Sequence, residues 1–512
     1  MAALALLSVA CAAGREAARP VVEPPRPEVV AAPQVDAGAP AVASPQCPDA
    51  GTPEVAGAAD AGTPAALCAQ EPLQLVEQGR AVEHDKGEDG ADEAIALFQK
   101  ALEQDPRCGE ALWEMGWAYQ LKGDPDSMVA TLDRLKAIHP EYPGFPEAYE
   151  TAVRRRDQAA LLRSLPDPGR LPPPETEPSQ GEPLTVNAVG DVHMGRAWPA
   201  ERATLPPDDA AHLFDAVKES LRSADVTFGN LETVLADDGE SQKCGKHPTK
   251  CFAFRVPTRY ANALKDAGFD AMSIANNHAG DFGPKGRQDT MAALDKVGIG
   301  HSGPIGDIAS LEVKGRKIAL VAFSFGQDVY RIQDLETARR LVALLSKSHD
   351  LVFVSFHNGA EGKGAEHVRK GREKFLGEDR GDARAFAHMV IDAGADLVLG
   401  HGPHLLRAME LYRGRLITYS MGNFSSWDTF GLNHPMDLTG IFHVALAPNG
   451  VALSVSVEPV IISPPGTPIP DPERRAVGIL RDLSQADFGS PFLDTEGAWK
   501  RGGGPQASSA GH

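Results

Sequence analysis

The chain has 512 residues, enough for two or more domains, and its 42% hydrophobic and 23% charged content is ordinary for a soluble globular protein. Its 70 acidic and 50 basic side chains give a formal net charge of −20. That charge argues against nucleic acid as the main partner, because binding to phosphates needs a basic surface. It fits a protein that uses carboxylates to hold cations.

A short apolar stretch at the N-terminus, Ala2–Ala10, ends at Cys11. It falls well short of the about 20 apolar residues that span a membrane. An apolar run with a small residue before cysteine is typical of a bacterial lipoprotein signal. We therefore predict such a signal over residues 1–13, with the protein exported to the cell envelope and anchored in the membrane through a lipid on Cys11. No Lys or Arg precedes the run, and Ser8 stands where such signals usually have Leu. An ordinary secretory signal and an accidental Ala-rich start stay open as alternatives.

Residues 14–72 are rich in Ala, Pro, Val and Gly and poor in aromatic side chains, so they predict a disordered tether. The chain has six cysteines. Cys47 and Cys68 are a possible pair, whereas Cys108 has no evident partner.

Another two cysteines, Cys244 and Cys251, flank a six-residue loop. In an exported protein this spacing predicts a local disulfide. A zinc clip that also uses His247 is the alternative, but it would have only three visible ligands.

Residues 73–163 have a helical pattern. Small and large residues alternate at helical spacing in two groups, which are Ala94, Phe98, Ala101 and Pro106, and then Leu112, Met115, Gly116, Tyr119 and Pro140. A small residue lets two helices approach closely, and a large one fills the facing groove. The pattern resembles a tetratricopeptide repeat, which implies a possible protein partner. One repeat and a half is marginal, so we expect it to dock on a neighbour or on the main domain. A plain helical hairpin without a binding role is the alternative.

Three further segments follow. Residues 164–183 are rich in Pro and Glu and predict a linker, and residues 464–512 predict an irregular C-terminal tail. Between them, residues 184–463 alternate short apolar runs with amphipathic stretches, which predicts an α/β domain of parallel sheets covered by helices.

The predicted strands are Thr185–Val189, Val226–Phe228, Ala271–Ile274, Ile318–Phe323, Leu351–Phe356, Leu397–Leu399 and Leu416–Tyr419. The predicted helices are Ala210–Arg222, Thr258–Ala267, Gln288–Val297 and Arg384–Ala393. Alternating apolar residues on both sides of Pro448-Asn449-Gly450 predict a β-hairpin, and hence mixed sheets.

Polar residues cluster directly after six of the predicted strands, where open α/β sheets bind ligands. The clusters contain Asp191 and His193; Asn230 and Glu232; Asn276, Asn277, His278 and Asp281; His357 and Asn358; His401 and His404; and Asn423. A single histidine in such a place is more often structural, but five of the 16 histidines lie in these clusters. Six coordinated clusters indicate a functional site.

The side chains in these clusters are carboxylates, amides and imidazoles. This mixture suits Mn, Fe or Zn rather than a thiolate site or a pure calcium site. About six protein ligands can hold two divalent metal ions roughly 3.5–4 Å apart, with one carboxylate bridging them. Glu232 is the candidate bridge.

The motifs Gly-Asp-Val-His-Met-Gly-Arg, Gly-Asn-Leu-Glu, Asn-Asn-His-Ala-Gly-Asp-Phe-Gly and Tyr-Ser-Met-Gly-Asn-Phe are specific in combination. Over roughly Thr185–Pro459 the sequence resembles the CapA family of capsule and poly-γ-glutamate biosynthesis proteins, which are related to calcineurin-like metallophosphatases. The resemblance implies a two-sheet sandwich flanked by helices.

The resemblance also implies roles for individual residues. Asp191 and His193 would hold the first metal, Glu232 would bridge, and Asn277 would bind the second metal. His357 and the pair His401 and His404 would complete the metal shells.

Three further residues would act on the substrate rather than on the metals. His278 would be the general acid or would stabilise the transition state, oriented by Asp281. Arg196 could contact an anionic substrate, since its guanidinium suits phosphate or carboxylate. Alternatively, Arg196 simply covers the edge of the sheet.

One departure from the related metallophosphatases concerns their closing pair of histidines, which are separated by one residue. Gly402 stands at the first of these positions, and His401 lies one residue earlier. Either His401 reaches the site or one ligand is lost.

Three functions remain open. The first is a metal-dependent hydrolase acting on a phosphoester or a surface polymer, and the second is a non-hydrolytic, polymer-binding component of capsule assembly. The third is a scaffold that recruits partners through the helical repeat.

Overall fold

A computed structural model describes residues 68–241, 243, 252–326, 328–428 and 432–501, which all belong to one compact unit, Ala65–His512. The expected lipoprotein signal with Cys11, almost all of the tether, Cys47, the loop from Cys244 to Cys251 and the end of the tail from Gly502 lie outside the described residues. Within the described part, no helix combines the length and apolar character needed to cross a bilayer.

Five helices open the described chain: α1 (Gln70–Lys86), α2 (Ala91–Gln104), α3 (Gly109–Leu121), α4 (Pro125–Ile138) and α5 (Phe145–Ser164). Their core contains the small and large residues that the sequence singled out, among them Ala94, Phe98, Leu112 and Met115. The ring of Phe98 packs on α1 at Gly79, where a Cβ atom would lie 2.3 Å from the Phe98 Cε1 atom. The prediction of a tetratricopeptide-like segment is confirmed.

A disulfide joins Cys68, just before α1, to Cys108, the residue before α3. The suggested pairing of Cys68 with Cys47 is therefore wrong, and Cys108 does have a partner. Cys68 and Cys108 are far apart in the sequence. They meet because α1 and α2 form an antiparallel pair, which brings the start of α3 back to the start of α1.

The last of these helices, α5, docks on the main domain as expected. Arg155 Nε lies 3.1 Å from the Asp328 carboxylate, which Arg154 and Arg287 also approach. Leu165, which follows α5, is buried in the core of the main domain. The predicted linker beyond it has no helix or strand, yet it is held to the surface: the Arg415 guanidinium donates to the carbonyl oxygen of Glu175, and Ser179 hydrogen-bonds Asn449.

The main domain is an alternation of strands and helices. Its strands are β1 (Leu184–His193), β2 (Val226–Leu231), β3 (Val234–Leu235), β4 (Arg255–Val256), β5 (Ala271–Ser273), β6 (Gly300–Ser302), β7 (Ala309–Val313), β8 (Arg316–Ser324), β9 (Tyr330–Arg331), β10 (Leu351–His357), β11 (Glu373–Phe375), β12 (Glu378–Gly381), β13 (Leu397–His401), β14 (Met409–Tyr412), β15 (Arg415–Thr418), β16 (Asn423–Ser426), β17 (Leu438–Leu446), β18 (Ala452–Ser463), β19 (Thr467–Pro470) and β20 (Ala498–Lys500). Its helices are α6 (Lys218–Leu221), α7 (Ala261–Ala267), α8 (Gly283–Lys296), α9 (Leu335–Leu345), α10 (Ala383–Asp392) and α11 (Arg475–Phe488).

The strands of the described residues form two large sheets. The nine-stranded sheet has the order β19-β18-β17-β1-β2-β5-β6, with β16 and β20 attached, and the seven-stranded sheet has the order β14-β15-β13-β10-β8-β7, with β9 attached. Apolar residues of both sheets, such as Phe228 and Phe353, form the core between them. Helices α7 and α8 cover the outer face of the first sheet, and α9 and α10 cover that of the second. The predicted two-sheet sandwich flanked by helices is confirmed.

Mixed sheets were also expected, and the antiparallel pair β17–β18 forms the predicted hairpin around Pro448-Asn449-Gly450. Two local predictions differ from the structure. The helix expected over Ala210–Arg222 is reduced to 3-10 turns and the single turn of α6. The tail expected to be irregular from residue 464 contains β19, α11 and β20, because Ala476 and Leu480 of α11 bury against the main core.

Candidate metal centre

The parallel strands bring the predicted clusters to one edge of each sheet. In the first sheet Asp191 of β1 stands opposite Asn230 of β2 and Asn423 of β16. In the second sheet His357 of β10 stands opposite His401 of β13. The two edges meet, since His401 Nδ1 lies 3.1 Å from Asp191 Oδ1. The site therefore lies between the carboxyl ends of the two sheets.

The Glu232 carboxylate belongs to two groups of potential metal ligands. His193, Glu232 and His404 form one group, and Asp191, Glu232 and His357 form the other; within each group the ligand atoms lie within 4.8 Å of one another. Glu232 Oε2 is 3.4 Å from His193 Nε2, and Glu232 Oε1 is 3.6 Å from His357 Nε2. The sequence had assigned Asp191 and His193 to the same metal, whereas here each lies in a different group.

Polar neighbours fix the orientation of the Asp191 carboxylate. Asn230 Nδ2 donates to its Oδ1 atom at 2.8 Å, and His404 Nδ1 lies 3.2 Å from its Oδ2 atom. His404 Nδ1 is also 3.0 Å from Asn423 Oδ1. Both contacts are to acceptors, so Nδ1 carries the proton and Nε2 is the nitrogen that faces Glu232, at 3.9 Å. A hydrogen bond of this kind orients a ligating histidine.

Several buried polar atoms of the predicted site residues have no hydrogen-bond partner among the described residues. They are Glu232 Oε1 and Oε2, Asn277 Oδ1, His357 Nε2 and His401 Nε2. Leaving a buried polar atom without a partner costs about 1–3 kcal/mol. A cation in contact with these atoms would remove that cost, and carboxylate, amide oxygen and imidazole are suitable ligands. The residues therefore fit the metal that the resemblance implies.

The pKa shifts of the residues in the cluster also favour a bound cation. Burial raises the pKa of the Glu232 carboxyl. Burial also favours the neutral form of His404, but the Glu232 and Asp191 carboxylates outweigh it and raise the pKa of His404 to about 10. Burial and the charge of His404 lower the pKa of His193 to about 3. A proton on His404 thus offsets negative charge in the metal-free site, and a divalent cation would offset more of it.

A second group of predicted residues lies beside this cluster. The rings of His278 and His193 are 6.3 Å apart, and His278 Nδ1 lies 2.7 Å from Asp281 Oδ2. Phe254 N also donates to Asp281 Oδ2, at 3.0 Å, which fixes the carboxylate. An ionised carboxylate only accepts, so His278 carries its proton on Nδ1.

Arg196 has contacts of a different kind. Its Nε atom donates to the carbonyl oxygen of Arg202 at 3.1 Å, and its backbone pairs with that of Thr204. These contacts hold the side chain in the loop after β1.

Four asparagines of the strand-end clusters were not assigned roles from the sequence. Asn230 joins Asp191 to Asn276, whose Nδ2 donates to Asn230 Oδ1 at 3.2 Å. Asn423 holds His404, and Asn358 is fully buried beside His357. Their position directly after strands was the signal that could have identified them.

The sandwich and its buried Asp, Glu and His cluster define a metallophosphatase-like protein. The family model of bacterial capsule synthesis protein PGA_cap matches residues 185–427, and a tetratricopeptide repeat model matches residues 88–146. The chain is 30% identical over 275 residues to the PGA biosynthesis protein CapA of Bacillus subtilis, covering 50% of this chain and 67% of that one. It thus belongs to the CapA family.

Other relatives agree. The capsule biosynthesis protein CapA of Bacillus anthracis is 29% identical over 48% of this chain, and the match spans only 60% of that protein. A probable polyglutamine synthesis accessory protein of Mycobacterium tuberculosis is 30% identical over 51% of this chain and 69% of that protein.

Proposed function

We propose that this protein is an exported cell-envelope component of capsule or poly-γ-glutamate biosynthesis, and that it hydrolyses a phosphoester or a polymer bond at a two-metal site. The observation that carries the proposal is the shared position of Glu232. A carboxylate common to two groups of buried ligands suits a bridge between two cations.

Eight residues would form the metal site. Glu232 would bridge the two ions, with Asp191 and His357 on one side and His193 and His404 on the other. Asn277 Oδ1 and His401 Nε2, both buried and without a hydrogen-bond partner among the described residues, would add ligands. Asn230, which donates to Asp191, would keep that carboxylate in place.

Bound divalent ions would polarise the substrate oxygen and activate water. The protein would supply the proton transfer. His278, when protonated, would donate to the leaving oxygen, and Asp281 would hold the imidazole through the 2.7 Å hydrogen bond to Nδ1. The burial of the ligands in a core between two sheets would keep bulk water from these charges.

The proposal of a surface polymer as substrate is supported by the names of the relatives, two of which refer to capsule or PGA biosynthesis. A lipid on Cys11 would hold the protein at the membrane, and the tetratricopeptide-like segment offers a site for a protein partner of the assembly.

Metal analysis and hydrolysis assays on the full-length protein test this function. Protein purified without chelator should contain one to two transition-metal ions per chain, roughly, and should hydrolyse p-nitrophenyl phosphate or a γ-glutamate oligomer. Asp191→Ala and Glu232→Ala should each lose metal and activity. Glu458→Ala is the matched control, because Glu458 is a half-buried carboxylate of β18 that pairs with His443. Unchanged metal content in both site variants would disprove the assignment.

A non-hydrolytic role in polymer assembly is the second candidate. It is favoured by one relative, which is named an accessory protein of synthesis. Metal-loaded protein that binds γ-glutamate oligomer but hydrolyses neither substrate would support this role over the hydrolase.

A further inference from the structure

The ammonium group of Lys243 reaches the edge of the candidate site. Lys243 lies in the chain between β3 and β4, and its Nζ atom is 2.7 Å from Asp281 Oδ1 and 3.1 Å from the carbonyl oxygen of Asn277. Asp281 is fully buried, whereas the Lys243 side chain is 39% exposed. The lysine thus connects the buried His278–Asp281 pair to solvent.

Two of the three N–H groups of this ammonium have acceptors in the structure. The remaining polar neighbour of Nζ is His278 Nδ1, at 3.5 Å. That nitrogen already carries the proton shared with Asp281 Oδ2, so it is not an acceptor. Among the contacts within the described residues, one donor of Lys243 is therefore left for a group that approaches from solvent.

The charged groups near Lys243 bear on which ligand its remaining N–H group can bind. The site contains the carboxylates of Asp191, Glu232 and Asp281, and the chain carries a net charge of −20. The proposed divalent ions would balance the carboxylates of the metal site, so an anionic substrate could approach it. Lys243 adds a cation at the edge of the site, beside the proposed proton donor, where its remaining N–H group can bind an oxygen of the substrate, because ammonium groups pair strongly with phosphate and carboxylate.

We propose that Lys243 is a substrate-positioning residue that binds an oxyanion of the substrate next to His278. This inference rests on the proposed function of the site. The oxyanion is a phosphoryl oxygen in a phosphoester or a carboxylate oxygen in a γ-glutamyl polymer. A purely structural Lys243 would instead only neutralise Asp281.

The test compares Lys243→Met and Lys243→Arg with a matched control, Lys285→Met. Lys285 also holds two carboxylates, since its Nζ is 2.9 Å from Asp238 and 2.6 Å from Asp289, but it lies on the surface of α8. Binding of inorganic phosphate and of a short γ-glutamate oligomer is measured by calorimetry on the full-length protein. Turnover of p-nitrophenyl phosphate and of the oligomer, metal content and thermal unfolding are measured on the same samples.

In Lys243→Met the dissociation constant and the KM should rise about 10- to 100-fold, the range for a charged hydrogen bond. Metal content and kcat should change little. The melting temperature should fall in Lys243→Met, because the buried Asp281 carboxylate loses the ammonium group at 2.7 Å, and should recover in Lys243→Arg. Lys243→Arg should restore most of the affinity, and Lys285→Met should match the wild type. A loss of affinity for phosphate alone identifies a phosphoryl group as the ligand, and a loss for the oligomer alone identifies a carboxylate.

Unchanged affinity for both probes in Lys243→Met overturns the inference. An affinity loss that follows a loss of metal, and that arginine does not restore, also overturns it in favour of structural neutralisation. If the wild type binds the probes through Lys243 but does not hydrolyse them, only the proposed hydrolysis is overturned. If the wild type hydrolyses the probes and Lys243→Met binds them equally well, only this inference is overturned. If the wild type neither binds nor hydrolyses the probes, both are overturned.

Discussion

A Cβ atom on Gly402 would lie 2.4 Å from the carbonyl oxygen of Asn358, so the two backbones meet without room for a side chain. Gly402 also has φ +113°, in the region that favours glycine. By the resemblance to metallophosphatases, Gly402 stands where their closing motif would have its first histidine. The glycine is therefore required by close packing between the ends of β10 and β13, and His404 and His401 reach the cluster on either side of it.

Gly402→His, which would restore the usual histidine pair, should impair the protein rather than improve it. The new side chain meets rigid backbone, and the left-handed conformation adds about 1–2 kcal/mol of strain. We expect a lower melting temperature and a loss of metal, measured by calorimetry and elemental analysis.

Gly298→Ala is the control for strain alone, because Gly298 has φ +68° and no atom within 4 Å of its Cβ position. A Gly402→His protein as stable as Gly298→Ala, with full metal content, would contradict this account of the motif.

Parallel strands end at a common edge, and for this reason the sequence could indicate which polar residues lie close together. Asp191, His193, Glu232, His357, His401 and His404 were all singled out by their place after a strand, and the structure brings them together. The division of ligands between two groups could not be predicted, because it depends on how the edges of two different sheets meet. The same holds for Lys243, whose neighbourhood in the chain contains no strand-end pattern.

The predictions of the fold were wrong at two places where the structure depends on contacts between distant parts of the chain. Helix α11 lies beyond the last predicted strand, and its stability comes from the contacts of Ala476 and Leu480 with the core of the sandwich. Pairing of Cys68 with Cys108 depends on the return of the chain between two helices. The cysteine pairing leaves no local pattern in the sequence, whereas the buried residues Ala476, Leu480 and Leu483 of α11 recur at helical spacing and could have indicated the helix.

The disulfide between Cys68 and Cys108 should stabilise the helical segment. It closes a loop with a sequence separation of 40 residues, for which a stabilisation of about 2–4 kcal/mol is typical. The variant with both Cys68→Ala and Cys108→Ala should unfold at lower urea concentration than the oxidised wild type. Reductant should shift the wild type towards the variant and leave the variant unchanged. Identical unfolding of oxidised wild type and variant would show that the bond contributes no stability.

Protonation of His301 should make stability depend on pH. Burial lowers the pKa of this ring, but hydrogen bonds to Asp307 at 2.9 Å and to Asp295 at 3.2 Å outweigh burial and raise it above the ordinary 6.5. A raised pKa in the folded state gives stability that is fully present below about pH 6.5 and is lost as pH rises through the folded pKa.

Urea titrations across this range measure the effect. The free energy of unfolding of wild type minus that of His301→Gln should be largest in acid and should decline above pH 6.5. His84→Gln is the control, because His84 lies beside Asp85 at 3.2 Å with 87% of its side chain exposed. A difference between wild type and His301→Gln that is constant with pH would refute the role of this ion pair.

Proton donation by His278 can be separated from metal binding by His278→Asn. The ring lies beside His193 and is held by Asp281 at 2.7 Å, an arrangement that orients a donor without requiring contact with a metal. If His278 supplies the proton, turnover should fall by roughly 10²–10⁴-fold, while metal content stays near that of the wild type.

His212→Asn is a matched control, since His212 makes the same 2.7 Å contact with an aspartate three residues on, Asp215, but is exposed. Loss of metal together with activity in His278→Asn would instead make His278 a ligand. Unchanged turnover in His278→Asn, under conditions in which the wild type hydrolyses its substrate, would remove His278 from the reaction.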